Sequence, residues 1–288
     1  MQTQSRPATA AGTITLGDMT VNRMGYGAMR ITGNGIWGPP KDKAEAIRVL
    51  KRSVDLGINF IDTADSYGPH ISEELIAEAL HPYPSDLIIG TKGGLLRTGP
   101  NQWPVDSSPK HLQEALEGSL RRLKLDRIDL YQLHRFDSKV PADETLGFLK
   151  EMQQKGLIRH LGVSEVDEQQ LQQAQQYFEV VSVQNRYNLL DRVWEGVLDI
   201  CEQQNIAFLP WYPLSAGVLE NETLQGIAQT HNATVHQIAL AWLLQHSPVM
   251  LPIPGTSTVS HLEENTASAT IKLSEEEMQA IESIKNQL

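Results

Sequence analysis

The chain reads as an α/β protein whose strands close into a parallel (β/α)8 barrel, and three observations lead there. Short apolar runs alternate with segments of helical period along almost all of its 288 residues, and eight such strand-and-helix units can be traced. No Pro-, Ser- or Gly-rich linker interrupts them, so residues 1–288 are expected to form one domain, of the size at which parallel barrels occur, about 250 residues. The rival, an open doubly wound sheet, calls for a G-x-G-x-x-G turn after its first strand, and Gly25-Tyr26-Gly27-Ala28-Met29-Arg30 lacks the third glycine.

Each element follows from local chemistry. Residues 1–12 are expected to be a flexible N-terminus. Thr13–Leu16 and Met19–Val21 flank Gly17-Asp18, a two-residue hairpin turn in which glycine tolerates positive φ. Residues 23–30 follow as the first barrel strand, with glycines that let another backbone or a ligand approach closely. A helix then starts near Pro40, carries Ala44, Ile47, Leu50 and Val54 at helical spacing, and stops at Gly57. Strand 58–61 precedes helix 72–80, and strand 87–90 precedes a helix opened by Ser108 as cap and Pro109 in its first turn. Strand 130–133 leads to helix 143–154, closed by Gly156; strand 160–163 leads to a helix beginning near Asp167; strand 180–183 leads to a helix over 194–204. Runs 206–209 and 249–252 complete the set. The last helix opens at Ser274, with Glu277 three residues on as a capping box.

Composition removes several function classes. A net charge of −11 without a Lys/Arg cluster argues against nucleic acid. No apolar run approaches the ~20 residues of a membrane span, and residues 1–11 lack the apolar heart of a signal peptide. A cytoplasmic protein is expected. Cys201 stands alone, so it cannot form an internal disulfide, and its helical context reads as a small buried apolar residue. His231 and His236 lack i, i+4 spacing and no H-E-x-x-H occurs, so no metal is expected.

In a barrel of this type, chemistry belongs at the C-terminal ends of the strands. The run Ile58–Ile61 ends at Asp62, and Tyr67 lies in the loop just beyond. A phenol whose pKa is normally about 10 serves as a proton donor near neutrality when a fixed positive charge pulls that value down. Lys92, closing Leu87-Ile88-Ile89-Gly90-Thr91, supplies the cation, and Asp129–Leu133 ends in His134. Taken singly, each has a bland explanation: a surface Tyr, a structural ion pair, a satisfied polar His. Together at the predicted strand ends they form a candidate catalytic constellation.

At these residues the chain resembles the aldo-keto reductases, from about Thr13 to its C-terminus. Asp62, Tyr67, Lys92 and His134 match that family's Asp, Tyr, Lys and His tetrad in order and motif context. The resemblance implies a TIM-type barrel whose hairpin closes the bottom, and an NADPH-dependent reduction of a carbonyl. Lys92, paired with Asp62, would hold a charge beside Tyr67 and favour its phenolate, while His134 would orient the carbonyl. Hydride from the nicotinamide would reach the carbonyl carbon as Tyr67 protonates the developing alkoxide.

The same resemblance assigns the cofactor contacts. They are Gly27, Met29, Asp62, Ser164 and Gln184; Trp211, Tyr212, Pro213, Leu214, Ser215 and Gly217; and Gly255, Ser257, His261, Glu264 and Asn265. In Gly162-Val163-Ser164-Glu165, Glu165 replaces the family's Asn and costs one amide donor, leaving Ser164 and Gln184 to hold the carboxamide. Trp211 occupies the position of a ring that stacks on the nicotinamide, or else is a core tryptophan. The hydroxyl-rich turn of 253–265 before a helix N-terminus is a sound anion site for the adenosine 2′-phosphate. No Lys or Arg stands at Gly255 or His261, which weakens the preference for NADP over NAD.

Other residues stay ambiguous. Glu263 and Glu264 also read as a solvated helix face. Asp65, Arg30 and Arg135 line the substrate mouth or are surface charges, and Trp37, Trp103 and Phe136 wall the mouth or pack on the surface. The tail after Asn265 lacks the longer loop of steroid-using relatives, so small or varied aldehydes are the expected substrates. Residues 25–29, 38–40 and 67–70 resemble bacterial reductases of pyridoxal. The Trp211 and 253–265 segments also resemble potassium-channel β subunits, so the alternative is an NADPH-binding sensing subunit. No obligate protein partner is evident.

Overall fold

The structure, a computed structural model, describes residues 6–213 and 219–284. Two strands, β1 (Thr13–Leu16) and β2 (Met19–Asn22), form the antiparallel hairpin, with Leu16, Met19 and Val21 buried. Its turn glycine, Gly17, has φ +64°, and a Cβ there would lie 2.2 Å from the His160 ring. Asp18 in the same turn receives Arg159 at 2.7 Å and His160 at 2.5 Å, from the start of a barrel strand. The hairpin therefore sits under the strands' N-terminal ends.

Seven strands run parallel and in sequence order: β3 (Tyr26–Gly27), β4 (Phe60–Asp62), β5 (Ile88–Gly93), β6 (Ile128–Leu133), β7 (Ile158–Ser164), β8 (Val180–Gln184) and β9 (Ala207–Phe208). The expected eighth, 249–252, is present as extended chain rather than as a regular strand. On one side Phe208 N–H donates to the Val249 carbonyl and Leu251 N–H to the Phe208 carbonyl, both at 2.9 Å; on the other, Gly25 N–H donates to the Pro252 carbonyl at 3.0 Å. Pro252 has no N–H to give, which limits the ladder. These bonds close the ring.

Hydrogen bonding redraws several predicted boundaries. Pairing with β6 carries β5 past its apolar run, so Lys92 lies within the strand, and Asp62 is the last residue of β4. The first strand is far shorter than predicted because Ala28–Ile31 coils into a 3-10 turn.

Ten α-helices are described. The first six are α1 (Lys43–Asp55), α2 (Ile71–Leu80), α3 (Pro109–Leu123), α4 (Ala142–Gln154), α5 (Glu168–Gln175) and α6 (Glu195–Gln204); α7 (Glu222–Thr230), α8 (Val235–His246), α9 (Val259–Ala267) and α10 (Glu275–Ile284) follow. Asp42, not Pro40, opens α1 by accepting from Glu45 N–H at 2.8 Å. Ser108 caps α3, and Ser274 with Glu277 forms the expected box at α10. Part of the segment expected to be flexible is ordered: Pro7–Ala11 forms a 3-10 helix, Ala8 is fully buried, and its N–H donates to Leu56 at 3.1 Å. Two small apolar side chains, Ala8 and Ala11, give that turn a face to bury. Cys201 is buried on α6, and burial pushes its thiol up to about 12. No helix among the described residues is long and apolar enough to cross a membrane.

Candidate active site

Strand alternation assembles the site. Residues two apart in a strand face the same side, so Gly90 and Lys92 on β5, Gln132 on β6 with His134 beyond it, and Ser182 and Gln184 on β8 share the interior. The register seats Asp62 against Gly90 and Lys92 against Gln132. Small neighbours make room, since a Cβ on Gly162 would lie 2.1 Å from Ser182 Oγ.

Lys92 is wholly buried, and its Nζ lies 2.8 Å from both carboxylate oxygens of Asp62 and 2.8 Å from the Thr63 carbonyl. Gln184 Nε2 donates to Asp62 Oδ1 at 2.8 Å and to Gln132 Oε1 at 3.2 Å, and Gln132 donates to Ser182 Oγ at 3.0 Å. A buried pair with its remaining valences filled is the arrangement in which attraction repays desolvation. Tyr67 completes the group: Lys92 Nζ is 5.2 Å from its ring centroid, and its ring meets that of His134 edge-on at 5.9 Å.

Burial works against the Lys92 ammonium, but Asp62 and Tyr67 outweigh it and its pKa is raised, so the charge is permanent. For Tyr67 the balance runs the other way. Burial raises its pKa by more than Lys92 and Arg135 lower it, so the value lies above the ordinary tyrosine range rather than below it as expected. The cation moderates the cost of a phenolate without making it the resting form, and the resting side chain is a phenol with a proton to give. Burial, with Lys92 and Arg135 adding to it, drives His134 well below the usual histidine range, so the ring is neutral. His134 Nδ1 is buried and has no partner among the described residues. A neutral imidazole offers one donor and one acceptor.

Several of the other expected residues stand beside this group. Ser164 Oγ donates to the Gln184 carbonyl at 2.8 Å and accepts from Arg135 Nη1 at 3.0 Å, so Arg135 faces the site rather than solvent. Phe136 is half-buried against the core. Met29 packs with Ile36, Ala64, Tyr67 and Trp103. Gly27 and Gly255 meet backbone to backbone: a Cβ on Gly27 would lie 2.6 Å from the Ile253 carbonyl, and one on Gly255 would lie 2.8 Å from the Gly27 carbonyl. Arg30 is exposed, with its stem beside Gly255, at the expected cofactor segment rather than at the tetrad.

Glu165 turns its departure from the family pattern into a different contact. Its Oε1 accepts from Trp211 Nε1 at 2.5 Å and from Arg186 N–H at 2.6 Å, which fastens the half-buried indole. Tyr212 is exposed and Pro213 buried, while Leu214, Ser215 and Gly217 lie outside the described residues. At the start of α9, Val259 N–H donates to Glu45 at 2.9 Å, an anion already drawn to that helix end. Ser257 and His261 are exposed there, and Asn265 is buried. Glu263 pairs with Arg52 at 2.7 Å and Glu264 accepts from Thr234 at 2.8 Å, so both are engaged rather than merely solvated.

Asp65 lies in the loop after β4 but is buried rather than a surface charge. It is 5% exposed, and burial, then the Glu73 charge, push its carboxyl up to about 8. Two contributors escaped the sequence reading. Gln132 was legible in principle, two residues before His134 on the same strand face; Arg97, in the loop after β5, carries no motif.

Known proteins share this chain's sequence and fold. The model of the Aldo/keto reductase family matches residues 23–286. An uncharacterized oxidoreductase of Schizosaccharomyces pombe is 56% identical over 271 residues, spanning 93% of this chain and 88% of its own length. Pyridoxine 4-dehydrogenase of Escherichia coli is 43% identical over 285 residues, spanning 96% of this chain and all of its own. The structure of an aldo/keto reductase from Klebsiella pneumoniae in complex with NADP and acetate superposes with a TM-score of 0.79 at 26% identity, over 92% of each chain.

Proposed function

The chain belongs to the aldo/keto reductase family, and from that premise we propose that it reduces a small aldehyde or ketone to the alcohol with NADPH, Tyr67 giving the proton. The observation that carries the proposal is geometric: a wholly buried Lys92 bonded to Asp62 at 2.8 Å, with its Nζ 5.2 Å from the centroid of the Tyr67 ring.

Neutral His134 donates a hydrogen bond to the carbonyl oxygen and orients it toward Tyr67. As negative charge grows on that oxygen, Tyr67 releases its proton, and the ammonium of Lys92 stabilises the phenolate left behind. Asp62 and Gln184 keep that ammonium in place. NADPH, when bound, supplies the hydride that the carbonyl carbon accepts. Two features fit such a cofactor: Arg30, its stem beside Gly255, offers a cation, and the exposed Ser257 and His261 at the start of α9 offer polar groups beside it. Ser164 and Gln184 would hold its carboxamide, and Trp211, fastened by Glu165, would offer its ring to the nicotinamide.

Pyridoxal is the substrate we place first, on the full-length likeness to pyridoxine 4-dehydrogenase. The test is loss of NADPH absorbance against a panel of aldehydes that includes pyridoxal, with Tyr67→Phe run in parallel. Turnover by the parent protein and its loss in the variant at unchanged NADPH affinity are expected. Tight NADPH binding without turnover of any carbonyl overturns the enzyme reading in favour of a sensing subunit.

A further inference from the structure

We infer that Arg97 is a positioning residue that ties the first three loops of the barrel mouth together and holds the aromatic wall of the substrate pocket against Tyr67. The inference rests on the carbonyl-reductase reading of the site. A guanidinium has five N–H donors in a rigid plane and no acceptor. In Arg97 all five are used, and every acceptor is a backbone carbonyl. Nε donates to Gln102 at 3.0 Å; Nη1 to Ile36 at 2.6 Å and Ser66 at 2.8 Å; Nη2 to Gly35 at 3.0 Å and Gly99 at 3.3 Å.

These carbonyls belong to the loops that follow β3, β4 and β5. Loops joined only by main-chain contacts open at little cost; here one side chain spans all three. Its plane also covers Trp103, 3.6 Å from the ring centroid, and stands 5.5 Å from that of Trp37. Trp103 in turn meets the Tyr67 ring edge-on at 6.4 Å, and Ser66, one of the five acceptors, immediately precedes Tyr67. Arg97 thus grips Tyr67 from two directions, through the backbone before it and through the indole beside it. With no N–H left over, it has nothing to offer a substrate directly. Its influence passes through Trp103 and Tyr67.

Lysine cannot take the place: its three donors radiate from a point and it has no plane to lay on an indole. The test uses Arg97→Met and Arg97→Lys in the full chain. Amide hydrogen exchange, read without substrate, should rise about tenfold or more in residues 33–38, 66–68 and 95–105 together, with β8 unchanged. The KM for the best aldehyde should rise about tenfold and kcat should fall by a smaller factor, since the wall is displaced outright while Tyr67 loses only its tie through the Ser66 carbonyl. NADPH affinity should be unaltered. Exchange that rises only in 95–105, an unchanged KM, or an equal loss of NADPH affinity overturns the inference. Should both variants fail to fold, Trp103→Leu decides by the same KM-against-kcat split. If the parent protein reduces no carbonyl, the proposed function falls while the exchange measurement still judges the three-loop tie.

Discussion

Asp62 and Asp65 stand three residues apart, both buried, and meet opposite surroundings. Asp62 ends a strand and receives a lysine and a glutamine amide at 2.8 Å each. Asp65 lies in the loop that follows, where Glu73 opposes its ionisation and its Oδ1 has no partner among the described residues. Behind it, Glu73 is taken by Arg122 at 2.7 Å and by Thr91 at 2.6 Å, so Arg122 and Lys92 favour the Asp65 carboxylate only from a distance, by less than burial and Glu73 oppose it. One carboxylate anchors the cation of the reaction; the other is held as the neutral acid. Burial alone makes a carboxyl give up its charge, and what separates the two is a bonded ammonium.

Changes that erase this contrast should rank by their effect on turnover. Lys92→Met gives Asp62 surroundings like those of Asp65, a buried carboxyl without a cation. Turnover should fall about 10²–10⁴-fold, measured as NADPH oxidation, because the phenolate loses its partner. Stability should fall by about 3–5 kcal/mol in urea unfolding, the cost of breaking a buried pair from one side. A variant of near-parental activity would show that Tyr67 does not depend on Lys92. Gln184→Met leaves Lys92 on Asp62 and removes the amide donated to Asp62 and to Gln132, so a smaller loss of about 1–3 kcal/mol is expected. Its NADPH affinity should drop as well if the amide also serves the carboxamide, and unaltered affinity would reassign that contact.

The pH profile of reduction sharpens the same point at Tyr67. A donor must carry its proton, and burial raises this pKa above the usual value near 10. The rate should therefore show no alkaline fall from Tyr67 below about pH 10. A decline near pH 8 that disappears in Tyr67→Phe background activity, or that moves with Arg135→Gln, would place the balance on the side of the cations instead.

The contrast also explains what was legible in the sequence. Asp62, Lys92 and His134 could be placed because strand ends are signalled by apolar runs, whereas Ser164 and Gln184 were named only through the family resemblance. The eighth strand was legible as an apolar run, yet its irregular pairing follows from Pro252 and from neighbours far away in the chain. Net acidity at Tyr67 was not legible at all: the sequence names the cation, but only the fold says how much water is excluded. Asp65 looked like a loop charge because its neighbours Glu73, Arg122 and Tyr131 come from α2, α3 and β6. Arg97, and the bond from Trp211 to Glu165, escaped for the same reason, since the partners lie on other loops.

The smallest effect on turnover is expected from Asp65→Asn, and its signature lies in stability. The folded protein keeps a proton on Asp65 up to about pH 8, whereas an ordinary Asp loses it near 3.8. Between those values the folded state binds the proton and the unfolded state does not. The group's contribution is therefore full below 3.8 and is lost as pH rises through about 8, at a slope of at most about 1.4 kcal/mol per pH unit. Asparagine matches the neutral acid in shape and cannot ionise, so that slope should vanish in the variant, whatever constant cost its amide adds. Urea unfolding at pH 5, 6, 7 and 8 on both proteins makes the comparison. An identical slope in Asp65→Asn would mean that the proton resides elsewhere in the Glu73, Arg122 and Tyr131 group, and that Asp65 is charged like its neighbour at position 62.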